Sequence, residues 1–343
     1  MAIHNPFEPG KLADLSDKIN IVPNVWGVVN NLGLFNNEYK TQRTVLVPLE
    51  NESVALIEDR NWNERHQANP NKTQQVLAFQ IPHFPLDDMI TPTDINGVMS
   101  WDSNFGESVQ LAQVRAEKMA RLRRSHALTL EYARVKMLMD GNVYAPNSTV
   151  AYNMYQEFTG TNTPKGMSIG LKSTGDNPLG QTQAIVNYIR QNSINGSVIA
   201  NIVALCSPTF FADLTAHPYV YNEYNRFIQP GMEGTFELNL RNRLGQNVFT
   251  YGGITFIEYP AASDGTQWIT DNYAIAFPMG TGHFRTMFAP AERFGDVNTV
   301  AKESYYFEFP SVKRDKIEIE TETNFINVMT NPAANVKIQS VSN

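Results

Sequence analysis

The chemistry this chain could carry rests on six histidines, one cysteine and one lysine-bearing glycine turn. A phosphate-cradling loop needs Gly-Lys-Ser/Thr at a strand-to-helix junction, where free backbone N–H groups meet the phosphate. Residues 160–166 (GTNTPKG) hold a lysine but lack that ending and a preceding strand, so they form an ordinary turn. His4, His66, His83, His126, His217 and His283 never fall at a short metal-ligand spacing, and Cys206 has no second thiol to share a zinc ion. Cys206 lies in the apolar run 198–206, as an inert buried thiol would, and no intrachain disulfide is possible. The adjacent Asp87 and Asp88 suit a solvated loop better than a cation site. No catalytic residue, metal or cofactor is expected.

Charge is the more informative chemistry. Residues 115–136 contain seven Arg or Lys, including Arg121, Arg123, Arg124 and Arg134, against Glu117 and Glu131. Guanidinium groups suit bidentate pairing with carboxylates in interfaces, and a nucleic-acid contact is the alternative role for this face. Glu318, Glu320 and Glu322 alternate with Ile317, Ile319 and Thr321, placing three like charges on one strand face. Unpaired, that stripe repels itself, so it is the first candidate acceptor for the arginines. A formal net charge of -7 argues against a protein whose main task is gripping nucleic acid.

The elements that would position these charges follow from periodicity. Residues 108–139 are free of proline, rich in helix formers and apolar at three-to-four spacing, which predicts one long helix ended by Asp140-Gly141. At about 1.5 Å per residue it is roughly 45 Å long and needs a broad partner to lie on. The first forty residues show no period and read as an extended arm with apolar anchors at Val25, Trp26, Leu34 and Phe35. Short β-rich runs at 44–48, 53–58 and 75–84 flank a polar stretch, 59–73, with Trp62, Arg65, His66 and Lys72 at or near its tip. That pattern suggests a projecting hairpin. Residues 160–178 read as a loop leading to alternating strands and helices over 178–287, with Ser207 as an N-cap and a strand pair around Gly252-Gly253. The C-terminal segment returns to β, in separate runs at 317–322, 325–329 and 336–338. With 42% apolar and 18% charged residues the chain is ordered and large enough for about two domains. No run is long enough to span a bilayer and no signal-peptide core opens the chain, so a soluble cytosolic product is expected.

Several weak motifs occur in one order over nearly the whole length. They are Thr44–Pro48; Phe84-Pro85 with Asp87, Ile90, Pro92 and Asp94-Ile95; Ala274 to Phe277; Phe284-Arg285; Ala289-Pro290-Ala291; and Val297-Asn298-Thr299. In this order the chain resembles the lambda-type major capsid proteins (capsid protein E family) of tailed double-stranded DNA bacteriophages. The resemblance implies an α+β tailed-phage major capsid fold with an N-terminal arm, an extended β-hairpin loop, a long spine helix, a peripheral domain and an axial domain. By position, residues 1–42 match the arm, 43–95 the extended loop and its root, and 96–177 the peripheral domain with spine helix 108–139. Residues 178–287 match the axial domain and 288–343 the strands returning to the peripheral one. The implied function is self-assembly into hexamers and pentamers of an icosahedral shell around double-stranded DNA. A separate scaffolding protein, a portal and in some members a decoration protein are the implied partners, with assembly in the host cytoplasm. Lys72 is the one lysine placed for the covalent crosslinking of some related shells, a chemistry lambda-type proteins generally lack. A non-viral nanocompartment shell of the same fold and a soluble enzyme with an unrecognised pocket are the alternatives.

A two-stranded ribbon is marginal without a partner, so residues 59–73 should exchange amide hydrogens quickly in free subunits and slowly in shells. Equal protection in both states would contradict a projecting hairpin that docks on assembly.

Overall fold

The computed structural model describes residues 13–21, 27–48, 76–96, 107–147, 152–173, 175–193, 199–227, 241–242, 246–261, 265–312 and 315–342. The chain opens with β1 (Ala13–Asp14), α1 (Ser16–Ile21), α2 (Val28–Leu32) and β2 (Asn36–Tyr39). Next come β3 (Thr44–Pro48), β4 (Val76–Gln80), β5 (His83–Ile90), α3 (Pro92–Asn96) and the long helix α4 (Glu107–Asp140). The middle holds α5 (Met154–Thr159), β6 (Lys165–Ile169), α6 (Pro178–Asn192), β7 (Asn201–Cys206), α7 (Pro208–Ala216) and α8 (Pro218–Phe227). The remaining strands are β8 (Arg241–Asn242), β9 (Gln246–Tyr251), β10 (Ile254–Glu258), β11 (Tyr273–Met279), β12 (Phe284–Phe288), β13 (Tyr305–Pro310), β14 (Ile317–Met329) and β15 (Val336–Ser340).

Two sheets organise these elements. The first runs β1-β13-β14-β12-β2, with β5 also paired to β14. Strand β14 is its spine: residues 317–322 lie between β13 and β5, and residues 325–329 pair with β12. The second sheet runs β6-β15-β11-β7-β10-β9-β8. Its central strands are buried on both faces and so are apolar throughout, as two-sided burial demands. Val203 and Leu205 of β7 with Ile275 and Phe277 of β11 face one core, shared with Met137 and Leu138 of α4. Ile202, Ala204, Cys206, Ala274 and Ala276 face the other, under α6 and α7.

Local chemistry sets the element ends. Pro178 and Pro208 occupy first-turn positions, where their missing N–H costs nothing. The Asn177 side chain accepts from the Leu179 N–H at 3.0 Å, and Ser207 Oγ accepts from the Phe210 N–H at 3.3 Å. Between β9 and β10, Gly252 and Gly253 both take positive φ (57° and 89°), which a two-residue hairpin of this hand requires.

Four sequence expectations change. Within the stretch read as a free extended arm, α1, α2 and β2 pack on the chain's own body. Strand β2 adds in parallel to β12, and Leu34 and Phe35 are buried in the shared core, so they do have a local core to join. Lack of period misled because these elements are too short to show one. Residues 160–178 are not all loop: β6 pairs in parallel with β15, a partner far off in sequence that no local pattern announces. The 75–84 run breaks at Ile81-Pro82, since proline cannot donate to a ladder, and β5 then pairs with β14. The runs at 317–322 and 325–329 form one continuous 13-residue strand. Residues 53–58 and the polar stretch with Trp62, Arg65, His66 and Lys72 lie outside the described residues, as do Val25 and Trp26.

Candidate assembly scaffold along the long helix

Helix α4 presents an apolar face, with Leu111, Val114, Met119, Leu122, Leu130 and Val135 buried. The same buried surface carries Arg123, His126, Glu131 and Arg134. A charge in a dry interior is tolerated only when hydrogen bonds and counter-charges replace its water. Each of these four side chains therefore names the segments that must come to it.

Glu131 is fully buried and accepts from the Val29 N–H at 2.8 Å, the Asn30 N–H at 2.9 Å and the Tyr259 O–H at 3.1 Å. Two of these donors are otherwise orphaned N–H groups in the first turn of α2. Burial pushes the Glu131 carboxyl upward, while those hydrogen bonds and the charge of Arg134 hold it down. At Gly27 the backbone takes φ 98°, and a Cβ there would lie 2.3 Å from the Glu131 carboxyl carbon, so only glycine lets α2 sit this close. Arg134 donates to Asn30 Oδ1 at 2.6 Å, Asn37 Oδ1 at 2.9 Å and Thr286 Oγ1 at 2.8 Å, and lies over the Phe35 ring at 4.8 Å. Burial pulls its pKa down to about 10, which leaves it cationic at neutral pH. Arg123 pairs with Glu303 at 2.8 Å and donates to Ser304 Oγ at 2.5 Å. His126 Nε2 meets Thr321 Oγ1 at 2.8 Å, and that hydroxyl donates to the Leu86 carbonyl at 2.6 Å.

The outer part of the helix is paired more loosely. Arg121, 68% exposed, reaches Asp88 at 2.7 Å, and Lys118 lies 3.2 Å from Asp94. Arg115 pairs at 2.6 Å with Glu308, which also accepts from the Tyr306 hydroxyl at 2.9 Å. Arg124 donates to the Ala120 carbonyl of its own helix at 3.3 Å.

None of Arg121, Arg123, Arg124 or Arg134 pairs with the Glu318, Glu320 and Glu322 stripe, which corrects the first-choice acceptor. The stripe is met from its own sheet instead. Glu318 pairs with Lys316 at 2.7 Å, Glu320 with Arg293, and Glu322 lies 3.4 Å from His83 while accepting from the Glu292 N–H at 3.1 Å. Strand pairing decides this, because the face of β14 that meets the helix is the one bearing Ile319 and Thr321. Arg121 and Arg123 take Asp88 and Glu303 instead; the Asp87-Asp88 pair, which the sequence suggested for a solvated loop, lies in β5, and Glu303 stands alone in a loop. Among the described residues no group of His, Cys, Asp or Glu could hold a metal ion, and no helix is long and apolar enough to cross a membrane. Cys206 is buried, and burial pushes its thiol well up.

Two measurements separate buried from exposed charge. Arg121→Ala should change subunit stability by no more than about 1 kcal/mol, whereas Arg134→Met, which takes the buried charged donor away from Asn30, Asn37 and Thr286, should cost about 3 kcal/mol in denaturant unfolding. Equal losses would contradict the burial argument. Burial, with Arg123 adding to it, pulls the His126 pKa from 6.5 down to about 4. The unfolded chain thus binds this proton first, so the contribution is complete above pH about 6.5 and is lost as pH falls toward about 4. His126→Gln should flatten that acid-side slope, reducing the stability lost between pH about 6.5 and about 4 by up to about 3 kcal/mol. An unchanged slope would show that His126 does not drive it.

The comparisons with known proteins agree with this architecture. A sequence profile of the family described as phage major capsid protein E matches residues 11–340. The major capsid protein of Pseudomonas phage KPP10 is 35% identical over 357 aligned residues, covering 98% of this chain and 97% of that protein. That of Salmonella phage Felix O1 (isolate Felix O1-VT1) is 26% identical over 364, covering 96% of each. Among solved structures, the bacteriophage PhiM1 mature capsid aligns with a TM-score of 0.52 at 12% identity, over 90% of this chain and 85% of its own. The putative capsid protein of a prophage from E. coli CFT073 aligns with a TM-score of 0.51, also at 12% identity, over 78% and 80%. These two likenesses bear on the fold, which is the α+β fold of phage capsid proteins. With a profile match from residue 11 to residue 340 and a relative above 30% identity along the chain, the protein belongs to the phage major capsid protein E family and forms the shell of a phage head.

Proposed function

We propose that copies of this chain assemble as hexamers and pentamers into a closed icosahedral shell around double-stranded DNA, without reading its sequence. The chain-long family match carries this reading. The net charge of -7 supports it, since a wall that does not grip its cargo lets packed DNA slide out. Catalysis has no place in this role.

Residues 1–42 then serve as an arm whose inner part, α1 to β2, is its root. Residues 43–95 form the extended loop, 96–177 and 288–343 the peripheral domain, and 178–287 the axial domain. Val25, Trp26 and the loop residues Trp62, Arg65, His66 and Lys72 are assigned to contacts with neighbouring subunits. Leu34 and Phe35, buried within their own subunit, are not. A separate scaffolding protein, a portal at one vertex and a decoration protein are the proposed partners, with assembly in the host cytoplasm.

Electron microscopy of particles purified from cells making the chain with its phage partners, with nuclease-protected DNA measured alongside, tests the assignment. Closed icosahedral particles holding protected double-stranded DNA are expected. Closed particles holding a protein cargo and no DNA would point to a nanocompartment, and a soluble monomer would sink the shell reading.

A further inference from the structure

The segment 289–301, which joins β12 to β13, sorts its apolar side chains by size in the wrong sense for a lone subunit. Its small ones, Ala289, Ala291 and Ala301, are buried. Its large ones point out: Phe294 is wholly exposed, Val297 is 54% exposed and Val300 65%. Single exposed apolar residues are ordinary, but three within one short loop make a patch of the kind that marks an interaction site.

The loop is held firmly in this arrangement. Arg293 pairs with Glu320 and lies over the rings of Phe307 at 4.1 Å and Phe309 at 4.9 Å. The N–H groups of Asp296 and Val297 donate to the Arg293 carbonyl at 3.0 and 3.2 Å. Thr299 donates to the Asp296 carbonyl through both its N–H, at 3.1 Å, and its hydroxyl, at 2.7 Å. At the far end the Ala301 N–H donates to the Lys40 carbonyl at 3.0 Å, and Lys302 pairs with Asp17 at 2.8 Å. Turning Phe294 inward would break several of these bonds.

We propose that this loop is a subunit-to-subunit contact whose partner is a second copy of the same chain, with Phe294 as the anchor and Val297 and Val300 beside it. The inference rests on the shell reading, under which every copy is flanked by other copies. Three of the charges around the loop are already committed within the chain: Arg293 to Glu320, Glu292 to Arg43 and Lys302 to Asp17. What remains to recruit a partner is apolar area, which suits a desolvated protein contact and gives a phosphate backbone nothing to hold. Another copy has apolar surface to offer, since Leu46 of β3 and Val76 of β4 are exposed.

A photo-crosslinking amino acid at position 294 of the full chain, irradiated in assembled particles, should give an adduct of twice the subunit mass. Dissociated subunits at the same concentration should give none. Phe294→Glu should melt at the wild-type temperature as a subunit, because the side chain touches nothing in its own chain, while particle yield falls about tenfold or more. Wild-type yield together with no chain-to-chain adduct would overturn the proposal, as would an adduct only with a different protein. Particle formation by the unmodified chain is measured alongside. Its absence would overturn the shell reading and this contact together, whereas normal wild-type particles with an indifferent Phe294→Glu variant would overturn the contact alone.

Discussion

A carboxylate with no water around it must be met by donors from somewhere, and at Glu131 they come from two distant parts of the chain. The N-terminal helix α2 supplies two backbone N–H groups, and Tyr259, just beyond β10 of the second sheet, supplies a hydroxyl. Three residues along the same helix, Arg134 gathers Asn30, Asn37 and Thr286, so α2, β2 and β12 are drawn to the same stretch of α4. Hydrophobic burial alone would hold these segments near the helix without fixing their register. The polar bonds are directional, and Gly27 is the one residue type that lets α2 approach closely enough to make them.

The sequence showed best what depends on neighbours along the chain. The long helix was legible within a residue at each end, and so were the cap at Ser207 and the Gly252-Gly253 hairpin, because each is decided by a few consecutive residues. What depends on distant partners was not legible. Strand β6 exists because β15 lies beside it, and β2 because β12 does. The arginines of α4 read as charges in need of partners. Which partners they take depends on which face of β14 meets the helix, and that is a property of the folded sheet. The buried roles of Glu131 and His126 had no local signal either, since both sit in a run whose composition looks like an exposed basic helix.

Charge and apolar surface divide their roles in this subunit. Ionic groups mostly knit the chain to itself: Arg123, Arg134, Arg115, Arg293 and the glutamate stripe all find intrachain partners. The buried pairs of Arg123 and Arg115 are poorly screened by salt, whereas those of Glu318 and Glu320 in the glutamate stripe are half exposed and weaken as salt rises.

Besides the long route from β5 through α4 and α5 to β6, the two sheets are joined by two short passages of chain that run side by side, from β11 to β12 and from β14 to β15. The Thr330 N–H donates to the His283 carbonyl at 3.0 Å, clipping one passage to the other. A wall under pressure from within pulls on its bricks, and here such tension would run along covalent backbone through a doubled, cross-braced tie.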